Sequence, residues 1–378
     1  MSYNNVSKLL LGLTFGLSLI NFVSGQQTEF FIAKTDSIFK ANSETIGLLI
    51  HVEAPDENIS WSYAVGQKGK NNTDILLADQ PVLMASNCKP YISATVLRLV
   101  EKKKLKLEQG INSLLSEKTK LKLEQGGYDL NTIMVKHLLS HTAGLRDYID
   151  DGYFAIMTKN NKHHWTPESQ IARSIALGGP LGKPSEIFQY GDINYVLLAE
   201  IIENITHKKF YNSVRELLKY KKNNLNNTWW YHLENQPQNT LPLVEQYWTS
   251  FQYNIPDMNP SWDLYGGGGM AANVSDMAKF MQLLFNGKIV KNKHVLAQMY
   301  QDVPPNLEAN YTLGMSKIKV NGIIGYNHGG GLGTDATYFP SLNLTIVVAS
   351  LEADKRTVGT DLRDLIIADF LKNRNKKN

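Results

Sequence analysis

The feature that most constrains this chain is the placing of its strand-like segments, which stand at both ends around a long helix-patterned middle. Thr45 to Val52 (TIGLLIHV) and Ile59 to Val65, separated by the turn-rich APDEN, read as adjacent antiparallel strands. Near the other end, Gly325 to His328, Thr334 to Phe339 and Leu344 to Ser350 read as short strands, followed by a helical pattern from Asp361 to Leu371. Between them Pro90 to Glu101, Ile133 to Ser140, Ser169 to Leu177, Ile193 to Ile205 and Val274 to Phe285 carry helical periodicity. Strands at both ends join readily in one sheet, and the helices then form an inserted lobe with a cleft where the two parts meet. The predicted fold class is α/β of the α+β kind: an antiparallel sheet flanked by helices (about 30–85 and 310–372) with a mostly helical lobe (about 87–290).

At 378 residues such a unit buries an ample core without metal or disulfide. The single cysteine, Cys88, excludes an intramolecular disulfide. Residues 1–25 have one basic residue, Lys8, an apolar run from Leu9 to Val23, and small residues at Ser24 and Gly25. That pattern predicts a cleavable secretory signal, with the folded unit over 26–372 and a basic tail over 373–378. The expected setting is periplasmic or extracellular, with no stable membrane insertion after cleavage. The net charge of +4 comes from scattered lysines without an aromatic-interleaved basic stripe, so no nucleic-acid partner is expected. Oligomeric state is open.

A serine three residues before a lysine is the minimum for one kind of acyl-transfer site, because on a helix the amine reaches the hydroxyl. The pattern occurs three times. Ser316 and Lys319 lie in an alternating stretch, where positions three apart face opposite ways. Ser37 and Lys40 sit in a polar segment that reads as an exposed helix. Ser86 follows the apolar PVLMA and opens a helix with the stripe Cys88, Ile92, Val96 and Leu99 or Val100. Its backbone N–H is unused there and the helix dipole favours an oxyanion. Lys89 is expected to be buried, with desolvation lowering its pKa toward that of a base. Asp192, before the helical stretch that begins at Ile193, is a plausible N-cap.

Five segments together resemble the serine β-lactamase-like family: class C β-lactamases, D-alanyl-D-alanine carboxypeptidases and related esterases. They are SNCK at Ser86 to Lys89, VKHLLSHTAGLRDY at Val135 to Tyr148, YGDINYVLLAEIIENIT at Tyr190 to Thr206, YGGGGMAANVSDMAKFM at Tyr265 to Met281, and HGGGLG at His328 to Gly333. The resemblance implies that Ser86 is the nucleophile, that Lys89 and Tyr190 handle its proton, and that the N–H groups of Ser86 and Gly331 form the oxyanion hole. It also implies that Asp192, His328, Gly329 and Gly330 line the substrate site, the glycines letting substrate lie along a strand edge. Asp192 stands where the family most often has Asn. His328 stands where many β-lactamases carry Lys, and it is only partly charged near neutral pH. Both departures rank a D-amino-acid peptidase or esterase above a β-lactamase; a non-catalytic protein holding peptides or wall fragments is the rival from another class. The substrate is then a small peptide, ester or β-lactam, and no cofactor and no metal is called for.

Several other features read as structural. His137 and His141 have the spacing of a helical metal pair, but no glutamate follows His137 and no third ligand suggests itself. Cys88 points into the helix stripe. The repeated KLKLEQG, at Lys104 to Gly110 and Lys120 to Gly126, reads as a duplicated surface segment.

Overall fold

A computed structural model describes residues 27–303 and 309–375. The predicted signal lies outside the described residues. A helix over 27–41 leads into β1 (Gly47–Ala54) and β2 (Ile59–Gly66); short strands β3 (Val82–Leu83), β4 (Thr228–Trp230), β5 (Tyr247–Trp248), β6 (Tyr253–Asn254) and β7 (Met270–Ala272) follow. The chain closes with β8 (Ser316–Val320), β9 (Ile323–Gly329), β10 (Thr334–Phe339), β11 (Leu344–Ser350) and a helix, Arg356–Asn375. That helix runs past the expected boundary at residue 372 and takes up the start of the basic tail.

The main sheet has the order β2-β1-β11-β10-β9-β8 and is antiparallel throughout. The two chain ends meet in it, with Leu49 opposite Ala349 and His51 opposite Val347. Both faces are covered, which explains why β1 and β11 are buried along nearly their whole length. Ile50, Val52, Ile346 and Val348 face Phe31 of the first helix and Leu362, Ile366 and Phe370 of the last. Leu49, Val347 and Ala349 face the other way, into the core shared with the helical lobe and the helix Val274–Phe285. Alternate residues of one strand thus belong to different layers, as its period of two requires.

Ser37 and Lys40 lie exposed on the first helix, and Ser316 and Lys319 lie on β8, so both pairs take the elements expected of them. The repeat departs from its expected role. Its second copy forms most of the helix Glu117–Gln125, whereas the first is loop, and Leu105, Leu107 and Leu123 are all core. One heptapeptide adopts two conformations: both leucines are buried in the first copy, whereas in the second Leu123 is buried and Leu121 exposed, so tertiary context outweighs local propensity.

Candidate active site

Strand β3 delivers the serine. Its pairing with β7 continues one residue beyond the strand, where the Met84 N–H donates to the Met270 carbonyl at 2.8 Å. Ala85 then turns left-handed, with φ 47°, a conformation that costs a non-glycine residue about 1 kcal/mol. Ser86 follows in a short 3-10 turn, Ala85–Cys88, that runs straight into the helix Lys89–Glu101. Pro90 falls in the first turn of that helix, where its missing N–H removes no bond. The turn is clamped to the main sheet: Asn87 Nδ2 donates to Thr334 Oγ1 at 2.7 Å, and Thr334 Oγ1 donates to the Met84 carbonyl at 2.8 Å.

Lys89 is completely buried, and its Nζ meets three acceptors: Ser86 Oγ at 2.9 Å, the Gly267 carbonyl at 2.6 Å and Asp192 Oδ1 at 2.6 Å. The contacts to Ser86 and Gly267 are hydrogen bonds and the one to Asp192 is an ion pair. Burial by itself pushes the amine down, as expected from sequence, but the Asp192 carboxylate and the neighbouring Tyr190 outweigh it and hold Lys89 well above its ordinary value. The expected lowering of its pKa is therefore reversed, because the sequence reading had no partner for the amine. Asp192 likewise makes no capping bond to the helix Ile193–Thr206; its carboxylate turns to Lys89 instead.

Tyr190 is half-buried, with its ring centroid 5.0 Å from Lys89 Nζ and its phenol toward Lys89 and Ser86. Burial, with Asp192 adding to it, pushes the phenol up to about 12 against the pull of Lys89 and Ser86. The loop that holds it is pinned by buried polar groups. His141 Nδ1 accepts from the Gly191 N–H at 3.3 Å, and Asn194 Nδ2 donates to the Gly191 carbonyl at 3.0 Å. The His141 ring lies 4.3 Å from the Tyr190 ring, centroid to centroid. His141 itself follows the helix Val135–Leu139 with φ 57°, so it does not share a helical face with His137.

On the opposite wall, β9 is interior to the sheet for most of its length, flanked by β10 and β8. The pairing with β8 stops at Asn327, opposite Ser316, so His328 and Gly329 outrun it and the strand edge opens there. Gly330 is required by close approach, since a Cβ would stand 2.3 Å from the Met84 carbonyl oxygen. Gly331 is different: a Cβ would meet nothing within 4 Å. Among the described residues, neither the Gly331 N–H nor that of Ser86 donates to a protein acceptor, as an oxyanion hole requires. His328 is buried, with Nδ1 at 2.8 Å from the Gly329 carbonyl and Nε2 at 3.0 Å from the Tyr311 hydroxyl. Burial first, and then the Lys89 charge, push its imidazole down to about 3 despite the bond to Gly329. The partial charge expected of His328 near neutral pH is therefore absent.

The structure thus gathers Ser86, Lys89, Tyr190 and Asp192 at one point, with His328 to Gly331 on the facing strand. Sequence reasoning missed Gly267, Asp147 and Asp263. The glycine run 266–269 makes room for acids: a Cβ on Gly267 would lie 2.7 Å from Asp192 Cγ, and one on Gly268 would lie 2.0 Å from Asp263 Oδ2. Asp147 Oδ1 accepts from the N–H groups of Tyr148 and Ile193 at 2.9 and 3.2 Å, while burial and the Asp192 charge push its carboxyl up to about 7. Four consecutive glycines were the available signal, since such a run marks a close backbone approach.

The solved structures with this fold include the D-stereospecific amidohydrolase from Streptomyces sp., with a TM-score of 0.72 and 21% identity, covering 85% of this chain and 94% of that one. They include also the D-amino acid amidase from Ochrobactrum anthropi SV3, with a TM-score of 0.75 and 18% identity over 91% and 99% of the two chains. In sequence, PbpX of Bacillus subtilis (strain 168), named as a penicillin-binding protein, is 28% identical over 211 residues, 56% of this chain and 48% of that one. The chain spans about half the length of that relative. The profile of the beta-lactamase family matches residues 35–368. With that match over most of its length and the fold of these structures, the chain belongs to the beta-lactamase family.

Proposed function

We propose that the protein is an exported serine hydrolase that cleaves an amide or ester through an acyl-enzyme on Ser86. The observation that carries this reading is the contact of Lys89 Nζ with Ser86 Oγ at 2.9 Å inside a buried charged cluster. A stabilising role alone does not call for such a contact, since burying a charge pair is at best near neutral for stability.

In the resting site Lys89 is the ammonium, Asp192 its counter-ion, and Tyr190 a neutral phenol beside the serine. Loss of one proton from the Lys89–Tyr190 pair creates the base that takes the Ser86 proton as Oγ attacks the carbonyl carbon; the two groups titrate as a unit. The carbonyl oxygen gains the negative charge between the N–H groups of Ser86 and Gly331. Collapse of the tetrahedral species breaks the bond to the leaving group, which takes a proton from the Tyr190 side. Water, deprotonated by the same pair, then attacks the acyl-enzyme and releases the acid.

The substrate reading favours small peptides, amides or esters over β-lactams. His328 is neutral and hydrogen-bonded to Tyr311, and Lys89 is fully paired, so neither offers a free cation to a substrate carboxylate. The amidases among the structural neighbours support the same ranking. Periplasmic or extracellular location rests on the pattern of residues 1–25. Parallel assays with p-nitrophenyl esters, D-amino acid amides and nitrocefin test the ranking: turnover of esters or amides with little nitrocefin hydrolysis is expected, and efficient nitrocefin hydrolysis overturns it.

A further inference from the structure

Behind the nucleophile, between Ala85 and Leu332, lies a cavity of about 20 Å³, walled by Tyr231, Trp262 and Leu264, with Asp263 in its lining. This is room for a single water or ammonium group and not for a side chain. Ala85 and Leu332, which line the cavity, are the chain neighbours of Ser86 and Gly331.

Asp263 is 8% exposed, and its carboxyl lies flat on Gly268, where a Cβ would stand within 2.2 Å of either oxygen. Among the described residues no group forms a hydrogen bond or ion pair with that carboxyl, whereas Asp192 has Lys89 and Asp147 has backbone N–H groups. A carboxyl this shielded and without a protein partner is costly, and a water or an ion in the cavity would lower that cost. Burial and the Asp192 charge push it well up against the Lys89 charge, favouring the neutral carboxyl. Tyr231 and Trp262 also line the cavity.

We infer that Asp263 is a specificity-determining residue that receives a primary ammonium on the acyl part of the substrate, selecting amino-acyl amides or esters with a free amine over N-acylated ones. A bound ammonium pairs with the ionised carboxylate. The inference rests on the hydrolase reading above and adds the chemistry of the acyl group.

The test compares kcat/KM for D- and L-alanine p-nitroanilide with that for the N-acetylated forms, in the wild type, Asp263→Asn and Asp263→Ser. The wild type should favour the free amine in at least one enantiomer by roughly 10- to 100-fold, the value of a hydrogen bond to a charged group. In both variants the ratio of free to acetylated substrate should collapse toward one, whatever happens to the absolute rates. A wild-type ratio at or below one overturns the assignment without any variant, and so does a ratio that survives either substitution. Labelling of Ser86 by an active-serine probe in the wild type separates the two readings. Labelling without amine preference removes only the role of Asp263, whereas no labelling and no turnover removes the hydrolase reading and this inference with it.

Discussion

Lys89 and Asp192 form an ion pair of 2.6 Å inside the protein, the lysine fully shielded from solvent and the aspartate nearly so. The pair sets the charge on the residue that contacts Ser86.

Replacing Asp192 by Asn removes a negative charge that raises both Lys89 and Tyr190. Both groups then lose their protons more easily, so the rising limb of kcat/KM against pH should move to lower pH. An unmoved limb in a pH-rate profile of Asp192→Asn contradicts this account of the base.

Lys89→Met should abolish turnover, by about three orders of magnitude or more, as for other members of nucleophile–base units. It also strands a buried carboxylate, which costs roughly 3–5 kcal/mol. The double variant Lys89→Met/Asp192→Asn should regain most of that stability in urea unfolding yet remain inactive. Recovery of activity in the double variant would show that Lys89 serves only to neutralise Asp192.

Neighbouring glycines should respond differently. Gly330→Ala drives a methyl into the Met84 carbonyl and Thr334 Oγ1 and should cost about 1–3 kcal/mol or shift the nucleophile turn. Gly331→Ala meets open space and should leave the melting temperature within a degree or two. Thermal melts of both variants decide the point; equal losses would contradict the local packing.

His328 is held neutral in the fold, pushed down to about 3 from an ordinary value of 6.5, chiefly by burial. Below that ordinary value the unfolded chain takes up a proton that the folded one refuses. Its contribution is therefore fully present above pH 6.5 and is lost as the pH falls toward 3, amounting to roughly 3 kcal/mol at pH 4. Asp147, pushed up to about 7, works in the opposite sense over part of this window, so the comparison must isolate His328. The stability difference between wild type and His328→Asn, followed by urea unfolding from pH 7 to pH 4, should shrink as the pH falls. A constant difference contradicts the buried neutral imidazole.

The sheet was legible in the sequence because β1, β10 and β11 are β-rich segments bounded by turn residues, and their pairing follows once the two ends share a layer. The meeting of Ser86 with Lys89 was legible because the serine combines the spacing to Lys89 with a helix start. What escaped was whatever depends on contacts between distant segments. The charge of Lys89 depends on Asp192, 103 positions away, and that distance in sequence hides the pair from any local pattern. Gly267 contributes a carbonyl, which every residue has, so only the room it leaves for Asp192 singles it out. The short strands β3, β4 and β7 are too brief for periodicity to register, yet β3 and β7 aim the serine.

The most direct test of the central claim is intact-mass spectrometry of the purified protein after brief exposure to a fluorescent penicillin and to a p-nitrophenyl ester, with Ser86→Ala in parallel. The account predicts an acyl adduct or release of the chromophore with the wild type, and neither with a folded Ser86→Ala variant. Adducts or turnover undiminished in Ser86→Ala would contradict Ser86 as the nucleophile, and with it the mechanism built on Lys89 and Tyr190.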